Sequence, residues 1–255
     1  MDEQREFIIG RNSVREALRS GEQIDKIFFQ QGLVDGSIRE LLMLARGSKL
    51  VIVEVPRAKL DELCAGMGAD GHIGNHQGVV AQVPAFKYSD MDDIFALARM
   101  RGEEPFIVIL DSIQDPHNLG AIIRSAEALG AHGVIIGKRR AASLTTAAFK
   151  VSCGAAQYIP IVKVTNINHT IEDLKKQNIW TAAADMDGQP LSGTDLKGAY
   201  ALVIGGESEG VARLTKELCD VVVKIEMEGR TTSLNASCAA SIMMYEKRRQ
   251  DLAAK

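Results

Sequence analysis

The 255-residue sequence has few of the side chains that build disulfide frameworks or zinc clusters. None of its four cysteines forms a CxxC pair; they are Cys64, Cys153, Cys219 and Cys238. A disulfide scaffold or a cysteine-rich metal site is therefore not expected. His72 and His76 have a spacing that two metal ligands can use, but the glycines around them favour a turn instead. No metal is expected in this protein.

Long apolar runs and an excess of positive charge are also missing. No apolar segment approaches the roughly 18 residues of a membrane span. The first ten residues carry three acidic residues and no long apolar stretch, so we expect a cytoplasmic protein without a signal peptide. The net charge of −3 argues against nucleic-acid binding by bulk charge, although it allows local groups of cations. Aromatic residues make up only 5%, so a large base-stacking platform is not expected.

What the sequence does contain is enough apolar matter, 46%, for a substantial core. Residues 1–84 alternate short strand and helix patterns and predict a small α/β domain. Residues 85–104 are polar and charged, apart from a helical patch at 94–98, and are predicted to be a linker. Residues 105–255 contain six apolar runs, mostly separated by helical stretches, which predict a parallel sheet covered on both faces. The predicted fold class is α/β.

Three polar segments of the second domain follow apolar strands, where open α/β sheets bind their ligands. The first runs from Leu110 to Gly120 and leads into a helix that carries Arg124. Asp115 and Asn118 can be interpreted simply as a turn residue and a helix cap, but this interpretation leaves Arg124 unexplained among apolar neighbours.

The second segment is VIGGESEGV at 203–211, and the third is IEMEGRTTSLN at 225–235. Glycines after a strand allow a ligand to approach the backbone closely, although a plain turn explains them equally well. Ser233 or Asn235 can be interpreted as the cap of the following helix. Neither GxGxxG nor GxxxxGK[ST] is present, which disfavours a nucleotide-dependent oxidoreductase and a triphosphate site.

Three motifs occur in a fixed order: D-x-x-x-D-P-x-N-x-G-x-x-x-R-x-A at 111–126, I-G-x-E-x-x-G at 204–210 and M-x-G-x-x-x-S-L-N at 227–235. Together they resemble the SpoU (TrmH) family of RNA 2′-O-ribose methyltransferases in the SPOUT superfamily. The segments 10–18 and 76–79 are similar to the ribosomal-protein-like substrate-binding domain of the subgroup that methylates a guanosine in 23S ribosomal RNA. The resemblance implies an RNA-binding domain over 1–84 and a SPOUT methyltransferase domain over 105–255. It also implies a C-terminal trefoil knot, a homodimer and S-adenosylmethionine as methyl donor, with no metal.

The same resemblance implies the site residues. Those expected to line the donor pocket are Gly205, Ile225 and Leu234. Those expected to do the catalytic work are Asn118, Arg124, Glu207, Ser233 and Asn235. Because an arginine has a pKa above about 12, we expect Arg124 to bind the target phosphate and orient the hydroxyl rather than act as a base. Glu207 is expected to hold either Arg124 or the third segment.

In the first domain, Arg11, Arg15 and Arg19 recur every four residues, which on a helix gives one positive stripe. This stripe is the candidate RNA contact, and a solvated helix face is the alternative. Lys138, Arg139 and Arg140 form a second group of cations in the other domain.

The function that the resemblance implies is methyl transfer from S-adenosylmethionine to the ribose 2′-OH of a guanosine in 23S ribosomal RNA. Two alternatives stay open: a tRNA 2′-O-methyltransferase, and a non-catalytic RNA-binding assembly factor that retains the fold.

Overall fold

A computed structural model describes residues 7–68, 71–84, 87–207, 209–231 and 233–254. Ser208 and Thr232, which belong to the second and third predicted site segments, lie outside the described residues. The chain divides into two compact units, Met1–Lys87 and Tyr88–Lys255. In the described part of the chain, no helix is long and apolar enough to cross a membrane.

In its described residues, the first unit contains four strands and three α-helices. The strands are β1 Phe7–Ile9, β2 Lys26–Gln30, β3 Val51–Val55 and β4 Val79–Gln82, and the helices are α1 Arg11–Ser20, α2 Gly36–Gly47 and α3 Arg57–Leu63. The sheet order is β1-β4-β2-β3, with β2 and β3 parallel and β4 antiparallel to both of its neighbours.

Alternation along β2 places side chains on both faces of this sheet. Ile27 and Phe29 pack with Val14 of α1 and Leu41 of α2, whereas Phe28 packs on the opposite face with residues of α3. The first unit is therefore a mixed sheet with α1 and α2 on one face and α3 on the other. This arrangement confirms the predicted small α/β domain.

The second unit contains six strands and six α-helices in its described residues. The strands are β5 Phe106–Asp111, β6 Gly133–Gly137, β7 Ile161–Val164, β8 Trp180–Pro190, β9 Tyr200–Gly205 and β10 Val221–Lys224. The helices are α4 Met91–Arg101, α5 Pro116–Ala128, α6 Thr146–Val151, α7 Ile167–Lys176, α8 Arg213–Leu218 and α9 Ala236–Ala253.

All six strands are parallel, in the order β10-β8-β9-β5-β6-β7, which confirms the predicted parallel sheet. Every residue of β5 and β6 is buried, as continuous apolar runs covered on both faces require. The chain leaves β5 toward β6 on one side and later returns to place β9 on the other side. This reversal creates a switch point at the carboxyl ends of β5 and β9, where such sheets bind ligands. The trefoil knot stays a prediction.

The segment predicted to be a linker is largely part of the second unit. Residues 91–101 form α4, and Ile94 is completely buried in the core with Ile107 and Ile135. Tyr88 accepts a hydrogen bond from the Leu144 amide at 3.0 Å, and Ser89 pairs with Val162. The apolar face of α4 therefore ties residues 88–104 to the second unit, whose start lies at Tyr88 rather than at residue 105.

Candidate active site

A cavity of about 670 Å³ lies at the carboxyl ends of the neighbouring strands β10, β8 and β9. Its wall is formed by the ends of these strands, the segments that follow them and the first half of α9: residues 184–186, 204–207, 210, 223–227, 233, 234, 236, 239 and 243. Its volume lies in the range typical of small-molecule sites, about 300–1,000 Å³. The cavity thus joins the second and third predicted segments at one edge of the sheet.

The second segment turns back on itself directly after β9. The Gly210 amide donates to the Gly206 carbonyl at 2.9 Å, which closes the turn. A Cβ at Gly205 would lie 2.0 Å from the Gly210 carbonyl carbon and 2.2 Å from the Val211 nitrogen. We expected glycine here because a ligand approaches the backbone, but the segment's own backbone already requires it.

Asp111 at the end of β5 fixes this turn to the sheet. Its carboxylate accepts from the Ala212 amide at 2.9 Å, and its carbonyl accepts from the Gly206 amide at 3.0 Å. A Cβ at Gly206 would lie 2.5 Å from the Ser112 carbonyl oxygen, so the first and second segments are in direct backbone contact. Asp111 is buried, and its position explains the first aspartate of the first motif.

Three predicted site residues meet in one hydrogen-bonded group. Asn118 Nδ2 donates to Glu207 Oε1 at 2.7 Å, and Asn235 Nδ2 donates to the same oxygen at 2.7 Å. Asn235 Nδ2 also lies 3.0 Å from Asn118 Oδ1, which accepts from it. Each residue comes from a different predicted segment. We call this group the Asn–Glu–Asn network; it contains Asn118, Glu207 and Asn235.

The two asparagines of this network are held in different ways. Asn235 Oδ1 accepts from the Ser237 amide at 2.9 Å and so caps α9, as one of our interpretations of the sequence held. Asn118 has no capping role, because α5 is capped by Asp115, which accepts from the His117 amide at 3.0 Å. The side chain of Asn118 is instead buried against Glu207. Of the two expected partners of Glu207, the structure therefore brings the third segment to it.

Arg124 lies apart from this network. It is exposed on α5, and its Nη1 donates to Cys153 Sγ at 3.3 Å. Arg124 lies six positions after Asn118, which corresponds to about 9 Å along the helix axis. In the described residues it makes no hydrogen bond to Glu207. The guanidinium is thus accessible, and its hydrogen-bond partner among the described residues is a thiol rather than a carboxylate.

The remaining predicted residues of this site line the cavity. Gly205, Ile225, Ser233 and Leu234 all contribute to its wall, and Glu207 is the member of the Asn–Glu–Asn network that reaches it. Ile225 and Leu234 supply apolar wall, together with Met243 of α9. The cavity and the polar network therefore share one residue, Glu207.

Two further carboxylates on the cavity wall have lowered pKa values. Burial raises the pKa of Asp185, but hydrogen bonds outweigh it, mainly that from Lys216 Nζ at 2.9 Å, so its pKa is below the usual range. A hydrogen bond from the Ser192 hydroxyl lowers the pKa of Glu226. The wall is thus apolar with several anionic groups. Within the described ranges, no group of three or more His, Cys, Asp or Glu side chains could hold a metal ion.

Sequence reasoning did not identify the contribution of β8 to this cavity. Ala184, Asp185 and Met186 line it, and all three lie in the middle of this unusually long strand. The available signal was the polar stretch DMDG immediately after the apolar run TAAA, at the same edge of the sheet as the three chosen segments.

The three arginines of α1 are paired with acidic residues of the neighbouring helix or its cap. Arg11 Nη1 lies 2.9 Å from Asp35, while Arg15 and Arg19 lie 3.3 Å and 3.1 Å from Glu40. The positive charge of the predicted stripe is therefore partly compensated by two carboxylates. The stripe is also not a fully solvated helix face, because these carboxylates contact it. Periodicity within one helix could not show these partners, since they come from the region of α2.

The surroundings of Lys138, Arg139 and Arg140 differ from those of the α1 arginines. All three are exposed directly after β6, and none forms an ion pair with a described residue. The segment they begin is held beside the first predicted site segment by the Ala142 amide, which donates to the Ile113 carbonyl at 2.7 Å. These cations thus lie on the same edge of the sheet as the cavity.

Comparison with known families matches both units. Residues 105–245 match the model of the SpoU rRNA Methylase family. Residues 7–89 match a model described as RNA 2′-O ribose methyltransferase substrate binding.

Individual relatives match over nearly the whole chain. The Bacillus subtilis protein YacO, named as a TrmH family tRNA/rRNA methyltransferase, is 43% identical over 96% of this chain and 96% of its own length. A Staphylococcus haemolyticus protein with the same family name is 42% identical over 94% of this chain and 93% of its own. The crystal structure of the SpoU methyltransferase AviRb from Streptomyces viridochromogenes, in complex with AdoMet, covers 97% of this chain and 90% of its own. It shares 26% identity with a TM-score of 0.58. The chain therefore belongs to the SpoU (TrmH) family of RNA methyltransferases.

Proposed function

We propose that this protein transfers a methyl group from S-adenosylmethionine to the 2′-OH of a guanosine ribose in 23S ribosomal RNA. The observation that carries the proposal is the position of Glu207. This side chain lines the cavity and is also held by asparagines from the two other predicted segments. A carboxylate fixed between a ligand cavity and a hydrogen-bonded network is well placed for proton transfer.

The cavity wall fits S-adenosylmethionine. Ile225, Leu234 and Met243 offer apolar surface for an adenine. Carboxylates such as Glu207 and Glu226 suit a ligand that carries hydroxyls and positive charge. The AviRb structure contains AdoMet, and that protein matches this chain over both units.

The chemistry requires positioning and proton transfer from the protein. When bound, S-adenosylmethionine supplies a methyl group that its sulfonium already activates. A ribose hydroxyl is a weak nucleophile, so it must lose its proton as it attacks. Oε1 of Glu207 accepts both asparagine amides, while Oε2 makes no hydrogen bond with any described residue. We assign to Oε2 the acceptance of the 2′-OH proton, and to Asn118 and Asn235 the positioning of Glu207.

Arg124 is assigned to the target phosphate. It is exposed, and its guanidinium has no carboxylate partner among the described residues. A guanidinium matches the geometry of a phosphate and stays protonated, so Arg124 orients the target nucleotide and leaves proton acceptance to Glu207. Ser233, on the cavity wall, is a further hydrogen-bonding group for the ribose.

RNA binding in the second unit is assigned to Lys138, Arg139 and Arg140. These exposed cations have no acidic partner within the described ranges and so keep their charge for phosphates, whereas the α1 arginines are partly neutralised by Asp35 and Glu40. We keep the α1 stripe as a secondary contact, in which Arg19 is the most exposed member.

We also propose that the protein acts as a homodimer. Helix α9 exposes Ile242, Tyr245 and Leu252 on the surface of the second unit, and large apolar side chains grouped on a helix are typical of subunit interfaces. The relatives' names cover both tRNA and rRNA. If the target is a tRNA, the substrate of this proposal changes and the proposed chemistry stays the same.

Two measurements test this function together. Calorimetry with S-adenosylmethionine tests the cavity, and transfer of a tritiated methyl group to total RNA from a strain lacking the gene tests the reaction. We expect both to be positive. Donor binding without methyl transfer to rRNA or tRNA would instead indicate the non-catalytic assembly factor.

A further inference from the structure

The first unit contains a second cavity, of about 570 Å³, that the proposed reaction does not use. Its wall is formed by the segment 73–78 together with Arg11, Gln30, Leu33, Arg57 and Asp61. The two segments that carried the sequence resemblance in this unit, 10–18 and 76–79, are therefore brought to one place. Arg11 Nε donates to the Gln77 carbonyl at 3.0 Å, which joins them directly.

Hydrogen bonds support the wall of this cavity. His76 is buried and its Nε2 lies 3.0 Å from Asp61 Oδ1, while its Nδ1 accepts from the Gly78 amide at 2.9 Å. Gln77 and Gly78 both have positive φ angles, 51° and 83°, so the backbone bends sharply at this point. These contacts position the segment 75–78 on the cavity wall.

Two side-chain amides on the wall are unpaired within the described part of the chain. The side chains of Gln30 and Asn75 make no hydrogen bond with any described residue, although each offers both donors and acceptors. Side-chain amides are the groups that pair with the edges of bases, above all adenine. Leu33 and Ile73 supply apolar surface beside them. A flat ligand with a hydrogen-bonding edge matches this combination.

A cation is available at the rim of the same cavity. The Arg57 side chain is 73% exposed, and its contact with Asp61 is long, 3.9 Å. Such a weak exposed pair leaves the guanidinium free to bind a phosphate or to stack on a base. Arg11, in contrast, is held by Asp35 and by the Gln77 carbonyl.

We propose that this cavity binds one unpaired nucleotide of the RNA substrate. The base edge meets Gln30 and Asn75, the base lies against Leu33 and Ile73, and the phosphate binds Arg57. Sequence-specific RNA recognition uses unpaired bases, because the deep groove of A-form duplexes does not admit side chains. The substrate class is therefore RNA with a loop or bulge rather than a continuous duplex. This inference rests on the proposed function, since it names the RNA feature that the enzyme selects.

The test uses the full-length protein and fluorescein-labelled RNA hairpins whose loops contain only A, C, G or U, with the fully paired stem as the comparison. We expect one loop to bind more tightly than the stem. The Gln30→Ala/Asn75→Ala variant should lose this preference, with about 5- to 150-fold weaker binding of the preferred hairpin. Gln31→Ala is the matched control, because Gln31 is the next residue, is exposed and does not line the cavity.

Arg57→Gln provides a second variant that leaves the interior of the unit unchanged. It should flatten the salt dependence of hairpin binding by about 0.7 in the log–log slope, the value for one single-strand phosphate contact. Circular dichroism confirms that each variant is folded. Equal binding of stem and hairpins, or variants that match Gln31→Ala, would overturn the cavity assignment. If the parent still methylates RNA in that case, the proposed function stands; if the parent methylates no RNA, both fall.

Discussion

Asn118 Nδ2 lies 2.7 Å from Glu207 Oε1, although the two residues are 89 positions apart in the sequence. Asn118 is buried on α5 and Glu207 is exposed after β9, so this bond connects the core of the second unit to the wall of the cavity. Asn235 completes the connection from the cap of α9. The candidate active site is thus assembled from three separated segments by one carboxylate oxygen.

Replacing Glu207 separates its structural role from its chemical role. Glu207→Gln keeps an acceptor oxygen for both asparagines, so the free energy of unfolding should change little. Methyl transfer should fall about 10²-fold or more, as expected when a proton acceptor is lost. Glu207→Ala should also destabilise the protein by about 1–3 kcal/mol, because it leaves the buried Asn118 amide without its acceptor. Initial rates and thermal melts measure both effects.

Glu209→Gln is the control for these variants, since Glu209 is exposed in the same segment but does not line the cavity. A Glu207→Gln protein that retained the parental rate would exclude Glu207 as the proton acceptor and would restrict it to holding the asparagines.

Gly205 tests the turn after β9. An alanine there places its Cβ 2.0 Å from the Gly210 carbonyl carbon, so we expect Gly205→Ala to lower the melting temperature and to weaken binding of S-adenosylmethionine. The cost of such overpacking is typically about 1–3 kcal/mol. Gly193→Ala should be neutral, because a Cβ at Gly193 meets nothing within 4 Å. Unchanged stability of Gly205→Ala would show that the turn relaxes freely.

Arg124 should affect transfer but not donor binding. Arg124→Ala removes the guanidinium assigned to the RNA phosphate, so methyl transfer should be abolished while the Kd for S-adenosylmethionine stays within a few fold. Arg213→Ala, which removes an exposed arginine of α8, is the control. The assignment would fail if calorimetry showed that Arg124→Ala had lost only donor binding, because Arg124 would then belong to the donor site.

His132 should make the stability of the second unit depend on pH. Burial lowers the pKa of His132, and the charge of Arg101 adds to this effect. Its Nδ1 accepts from the Phe106 amide at 2.9 Å, so the folded state holds the ring neutral. In the unfolded chain His132 takes up a proton with a pKa near 6.5, whereas in the native state it is protonated only at a lower pH. His132 therefore contributes stability above pH 6.5 that is lost as the pH falls toward its folded value.

Urea unfolding of the parent and of His132→Gln at several pH values measures this contribution. The stability advantage of the parent over the variant should shrink as the pH decreases below 6.5. An advantage that grew on acidification would contradict a lowered pKa.

The sequence predicted the strands and helices of the second unit well, because its parallel strands are continuous apolar runs such as FIVIL and its helices separate them. The motifs, rather than the periodicity, identified Asn118, Glu207 and Asn235 as site residues. Their mutual hydrogen bonds depend on which strands become neighbours, and a linear pattern does not contain the order β8-β9-β5. For the same reason, the acidic partners of the α1 arginines and the cavity contribution of Asp185 were not foreseen. The linker prediction for 85–104 weighed polar composition above the single helical patch around Ile94, which packs into the core.

Mapping 2′-O-methylated nucleotides across total RNA tests the central claim most directly. The comparison requires a strain lacking the gene, the same strain carrying the parental gene, and the same strain carrying Glu207→Gln. We predict that one guanosine of 23S ribosomal RNA loses its 2′-O-methyl group in the deletion strain, regains it with the parental gene and does not regain it with the Glu207→Gln gene. An identical pattern of 2′-O-methylation in all three strains would contradict the account.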